Sequence, residues 1–155
     1  MPWPSTMSVV RLPDFAPDLV AGVEDWEIFL ELEFRGAQGF VTNDGNILRS
    51  SREMVALTRT KLMLVVTDGV GHDPLKATGL LQVHLTDISR DQSRRPAIFR
   101  LRTSGKMPLS AAKTLDDIAV RRKMLPRDVH VAETNVIRAQ IERTRPHLLE
   151  LFRGR

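Results

Sequence analysis

The chain contains no cysteine. Disulfides, thiolate zinc sites and cysteine nucleophiles are therefore excluded, and the composition suits a reducing cytoplasm. No nonpolar stretch approaches the roughly 20 residues that span a bilayer, so no membrane association is expected. The N-terminus shows no positively charged segment leading into an apolar run, the pattern of a secretory signal. Histidine is sparse: His72, His84, His130 and His147 are scattered without metal-ligand spacing, and His84 falls on an apolar stripe as a packed residue. Gly69-Val70-Gly71 is too short and wrongly placed for a P-loop or a dinucleotide fingerprint. Internal repeats, low-complexity tracts, zinc fingers, a helix-turn-helix pattern and the paired aromatics of an RNA-recognition sheet are all missing.

What remains is a chain of 155 residues, 42% hydrophobic and 27% charged, composed like a globular domain with a short appendage. The net charge of +4 is unevenly spread. Residues 1–88 carry 7 lysines and arginines against 12 acids, whereas residues 89–155 carry 16 against 7. An acidic half beside a basic half suggests an acidic functional core next to a surface that attracts an anion such as RNA. Balance within an oligomer, or against an acidic partner, is the competing explanation.

Pro2 and Pro4 read as a loose lead-in, and residues 7–12 as a short strand ended by Pro13. Apolar residues among acids over 24–35 predict an amphipathic helix, with Glu24 and Asp25 in its first turn. Gly36 and Gly39 bracket the passage into a strand at 40–42. Ser50 followed by Glu53 is a capping-box pattern that starts a helix running to about Thr60. The aliphatic run 62–66 predicts a central strand covered on both faces. Asp73 and Pro74 then cap and open a helix whose stripe is Leu80, Leu81, His84, Leu85 and Ile88. Residues 97–101 suggest another strand and Ser104-Gly105 a turn, followed by helical patterns over 109–120 and about 129–143. Pro126 marks a stop, Pro146 breaks the last helix, and the terminal Leu148, Leu149, Leu151 and Phe152 are expected to dock on the core or on another subunit. The strand–helix alternation argues for a mainly parallel α/β sheet in three layers. The domain is expected to cover residues 7–105, with a basic, mainly helical extension at 106–155.

The stretch Glu24-Asp25-Trp26-Glu27-Ile28-Phe29, followed by Gly39-Phe40-Val41-Thr42-Asn43-Asp44, resembles the later acidic motifs of PIN-like nucleases. In that family an acid near a helix start precedes a strand ending in a Thr-x-Asp element, and the strand at 62–67 and helix at 73–88 resemble the next two elements of its toxin-like branch. The resemblance spans about residues 7–105. It implies a three-layer PIN-like domain that hydrolyses RNA phosphodiesters with magnesium or manganese, and an antitoxin-like protein or a second copy as partner. It also implies an earlier strand ending in an aspartate, followed by a helix, for which there is no room before Met7. The start is then either incomplete or degenerate, or Asp14 or Asp18 supplies a replacement. A degenerate, non-catalytic binding module is accordingly the alternative to a ribonuclease.

Hard cations require gathered oxygen ligands, which carboxylates at strand ends can provide, and a bound metal lowers the pKa of its water. On the resemblance, Asp25 and Asp44 are the catalytic and metal-binding pair, with Glu24 and Asp68 as further ligand candidates and Glu27 weaker. Each has a plainer reading: Asp44-Gly45-Asn46 and Asp68-Gly69 form turns readily, and acids in a first helical turn are ordinary. Thr42 and Asn43 could hold a ligand or simply satisfy the bend. For RNA, the candidates are Arg94, Arg95, Arg100, Arg102 and Lys106, with Arg121 and Arg122 in a second basic cluster, because the planar guanidinium fork suits phosphate.

Overall fold

The computed structural model describes residues 7–91 and 94–153. Pro2 and Pro4 lie outside the described residues. A sheet of four strands, in the order β1 (Gly39–Thr42), β2 (Met63–Thr67), β3 (Ala97–Arg102) and β4 (Gly105–Leu109), forms the centre. β1, β2 and β3 are parallel, and β4 returns antiparallel to β3. Helices flank both faces, so the α/β three-layer expectation is met.

β2 is buried along its whole length, as its aliphatic run predicts. Its side chains divide by the period of two that a strand imposes. Leu64 and Val66 join one cluster with α2 (Asp25–Phe34), α3 (Ser51–Thr58), α5 (Ala111–Arg121) and α6 (Pro126–Thr144). Met63 and Val65 face the other side, against Leu81, Leu85 and Ile88 of α4 (Pro74–Arg90). Trp26 and Phe29 anchor α2 with no exposed surface, and Phe29 meets Phe40 of β1 edge-on at 5.9 Å. β4 runs across position 105, and α5, α6 and Leu148 share one buried cluster with α2 and α3.

Three local expectations fail. Residues 7–12 are not a strand: residues 7–11 have no regular structure, and a one-turn helix, α1 (Leu12–Phe15), comes next. Pro13 suits a first helical turn, Phe15 N–H donates to the Arg11 carbonyl, and Val9 and Val10 are left exposed, so burial offers no reason to extend. Ser50 precedes α3 but makes no side-chain cap. Instead, Ser51 Oγ lies 2.8 Å from Glu133 Oε1 of α6 and accepts from Arg122 Nη1 at 2.9 Å, tying the start of α3 to the neighbouring helices. Pro126 opens α6 rather than ending a helix, since its missing N–H is no loss in a first turn.

The C-terminal segment is clamped to α2 by buried charge. Glu31, only 2% exposed in its side chain, contacts Arg145 Nη1 at 2.9 Å, His147 Nε2 at 2.8 Å and Arg35 Nε at 3.2 Å. Glu27, also buried, receives Gln140 Nε2 at 3.3 Å and faces Arg145 Nε at 3.5 Å. A buried acid would raise its own pKa, but hydrogen bonds from Arg145 and His147 outweigh burial and hold Glu31 below the ordinary glutamate value.

Candidate functional site: an acidic cluster and a cationic groove at opposite ends of the sheet

α2 runs antiparallel to β1, so its first turn lies near the carboxyl end of the sheet, the same end from which α3 departs. Asp25 opens α2 and Asp44 comes directly after β1. Burial pushes the Asp25 carboxyl above its ordinary value, and the Asp44 charge adds to that shift. The two acids that the resemblance singled out thus share one electrostatic neighbourhood. Asp44 is at the same time a turn residue: its Oδ1 accepts from Asn46 N–H at 2.9 Å, and its own N–H donates to Thr42 Oγ1 at 3.1 Å. Thr42 therefore serves the bend, while the Asn43 side chain reaches the Gly71 carbonyl at 3.4 Å. Glu24 is exposed and accepts from the Trp26 indole N–H, which fastens the start of α2, and Glu27 accepts from Glu24 N–H at 3.0 Å.

Asp68 comes from the end of β2 and approaches the Asp44-Gly45 turn, its Oδ1 lying 3.5 Å from where a Cβ on Gly45 would stand. Its other oxygen is already engaged, by Arg102 Nε at 2.7 Å and by Arg100 Nε at 2.8 Å. Hydrogen bonding from Arg102, with the charge and hydrogen bond of Arg100, holds the Asp68 carboxyl below its usual range. A cation would compete with two guanidinium groups for this carboxylate. The same pairing draws Arg100 and Arg102 away from phosphate.

The acid that the sequence reading left out is Glu53. Its Oε2 is buried without a hydrogen-bond partner. Burial raises its pKa; the nearby charges of Asp25 and Glu24 add to the rise, against a backbone hydrogen bond and Arg52. Glu53 sits near the start of α3, at the same sheet end as Asp25, which was the available clue. Because its folded pKa is raised, ionised Glu53 costs stability at neutral pH. That penalty disappears as the pH falls through the raised value and the folded protein takes up a proton. Glu53→Gln is expected to stabilise the protein by on the order of 1 kcal/mol near neutrality. Urea unfolding should show the gain shrinking on acidification; an undiminished gain in acid would assign it to packing instead.

Among the described residues, no group of three or more histidine, aspartate or glutamate side chains is placed to hold a metal ion. The donor set fits this finding. Asp44 spends one oxygen on its turn, and Asp68 is held by arginines.

The basic residues divide between the two ends of the sheet. Arg122 is at the acidic end, bonded to Ser51, and Arg121 Nε donates to the Asp117 carbonyl at 3.3 Å. Lys106 lies over the Phe99 ring at 5.4 Å. Arg94 and Arg95 precede β3 at the opposite end, where they meet Lys61, which precedes β2 and was not among the expected residues. The three line a groove of about 860 Å³ that also takes in Pro108 of β4 and Ser110 at the start of α5. Lys61 and Arg95 border a second cavity of about 430 Å³ against the end of α2. Among the described residues, Arg95 Nη2 makes one long contact, 3.4 Å to the Asp91 carbonyl, and Nη1 is buried with no partner.

No helix among the described residues is long and apolar enough to cross a membrane. Compared with protein-family models, curated proteins and solved structures, the chain matches none.

Proposed function

We propose that this chain is a PIN-like module that binds RNA through its phosphate backbone without cutting it. The observation that carries this reading is the convergence of Lys61, Arg94 and Arg95 on one groove. The groove extends from Arg94 and Arg95 to Pro108 and Ser110, room for a chain of phosphates. The acidic cluster of Asp25, Asp44 and Glu53 lies at the other end of the sheet, so its negative charge does not oppose an anion seated here.

The ribonuclease reading is less well supported. Asp44 is engaged by its turn and Asp68 by two arginines, and no step of hydrolysis is assigned to them. Fluorescence anisotropy of a labelled mixed-sequence single-stranded RNA, titrated with protein over a range of salt concentrations, tests the proposal. Expected is binding that weakens steeply with salt and is the same with magnesium or with chelator. Binding that needs the metal would overturn it.

A further inference from the structure

We propose that α4 is a self-association surface on which two copies of this chain pack antiparallel. The helix buries Leu81, Leu85 and Ile88 against the sheet. At 3.6 residues per turn, the face turned away from the sheet carries Leu75, Gly79, Val83 and Thr86, with the exposed Arg90 at its C-terminal end. Leu75 and Val83 are 81% and 67% exposed, unusual for aliphatic residues on the outer side of an amphipathic helix. Between them Gly79 leaves open space, with no atom within 4 Å of where its Cβ would stand. A knob, a gap and a second knob at spacings of one helical turn are a surface that fits a copy of itself.

The charges select the arrangement. Lys76 and Asp87 lie on one flank of this stripe, and Leu75 and Thr86 on the other. A twofold axis perpendicular to an antiparallel helix pair brings like flank against like flank and reverses the order of residues. Centred between Gly79 and Val83, it sets each Val83 over the partner's Gly79 and each Leu75 beside the partner's Thr86. It also sets each Lys76 against the partner's Asp87, twice by symmetry. A parallel pair would set unlike flanks together, Lys76 beside the partner's Leu75 and Asp87 beside its Thr86, and would form neither ion pair. Among the described residues, Lys76 has only a long contact, 3.9 Å to the exposed Asp73, so its ammonium can turn to the partner. A single helical stripe buries less than the roughly 1,200 Å² of a standard stable interface, so the association is weak and concentration-dependent.

Sedimentation velocity over a wide concentration range tests this with variants that keep the helix. Lys76→Glu places an acid in the first turn and Asp87→Lys a base in the last, both favourable to the helix dipole. The wild type is expected to dimerise reversibly, and Val83→Asp to weaken the dimer by about tenfold or more. Each single charge variant alone should weaken it similarly, because two like pairs then face each other. An equimolar mixture of Lys76→Glu with Asp87→Lys should associate again, as both pairs become complementary. A monomeric wild type at every concentration would overturn the proposal. So would a dimer that Val83→Asp leaves intact, or single variants that fail to recover on mixing while circular dichroism shows them folded.

Discussion

Arg145→Ala should destabilise the protein by about 3 kcal/mol, in the range for removing one member of a buried ion pair. Arg145 closes the C-terminal segment onto α2 by contacting Glu31 at 2.9 Å and Glu27 at 3.5 Å. Without it, Glu31 keeps Arg35 and His147, which sets the loss near the lower end of that range. The pH dependence should change as well. In the wild type the depressed Glu31 pKa contributes stability above the unfolded glutamate value, and that contribution is lost as the pH falls through the folded one. Once Arg145 is gone, burial has less to oppose it, and this part of the acid sensitivity should flatten. Urea unfolding of wild type, Arg145→Ala, Glu31→Gln and the double variant measures both effects. Strictly additive losses from the two single changes would show that Arg145 and Glu31 are not coupled.

Replacing Lys61, Arg94 and Arg95 together by alanine should reduce RNA affinity on the order of 100-fold at moderate salt. Each single-strand phosphate neutralised contributes about 0.7 to the slope of log affinity against log salt, so three cations account for a slope of about 2. Over one decade of salt below the point where the proteins bind alike, that slope is about two decades of affinity. Arg100 and Arg102, each within 2.8 Å of Asp68, should contribute far less when replaced singly. Equal losses at both arginine pairs would assign binding to the diffuse charge of the C-terminal half.

The contrast between these arginines explains what could be read from the chain and what could not. Strongly local signals were legible: the all-aliphatic β2, the Asp73-Pro74 start of α4, and the acidic first turn of α2. Asp25 and Asp44 were legible as neighbours because α2 leads directly into β1. β4 was not, since Gly105-Lys-Met-Pro-Leu lacks strand propensity and owes its conformation to pairing with β3; as the last strand of the sheet it can accommodate Pro108. Long-range partners were equally hidden. Asp68 meets arginines 32 and 34 residues away, and Arg145 meets an acid 114 residues away. Lys61 became a groove residue only once β2 and β3 were paired. Glu53 was read as a cap because the local pattern Ser50-x-x-Glu53 is complete, whereas Ser50 makes no such bond.

The central claim, an RNA-binding module that does not cut, is tested most directly by the fate of the bound RNA. Labelled single-stranded RNAs of varied sequence are held with saturating folded protein in magnesium, in manganese and in chelator, then resolved by length. The account predicts intact RNA in all three conditions, and no difference between wild type and Asp44→Asn. Metal-dependent fragments that Asp44→Asn abolishes, with the variant still folded and still binding, would contradict it and make Asp25 and Asp44 the centre of a working nuclease.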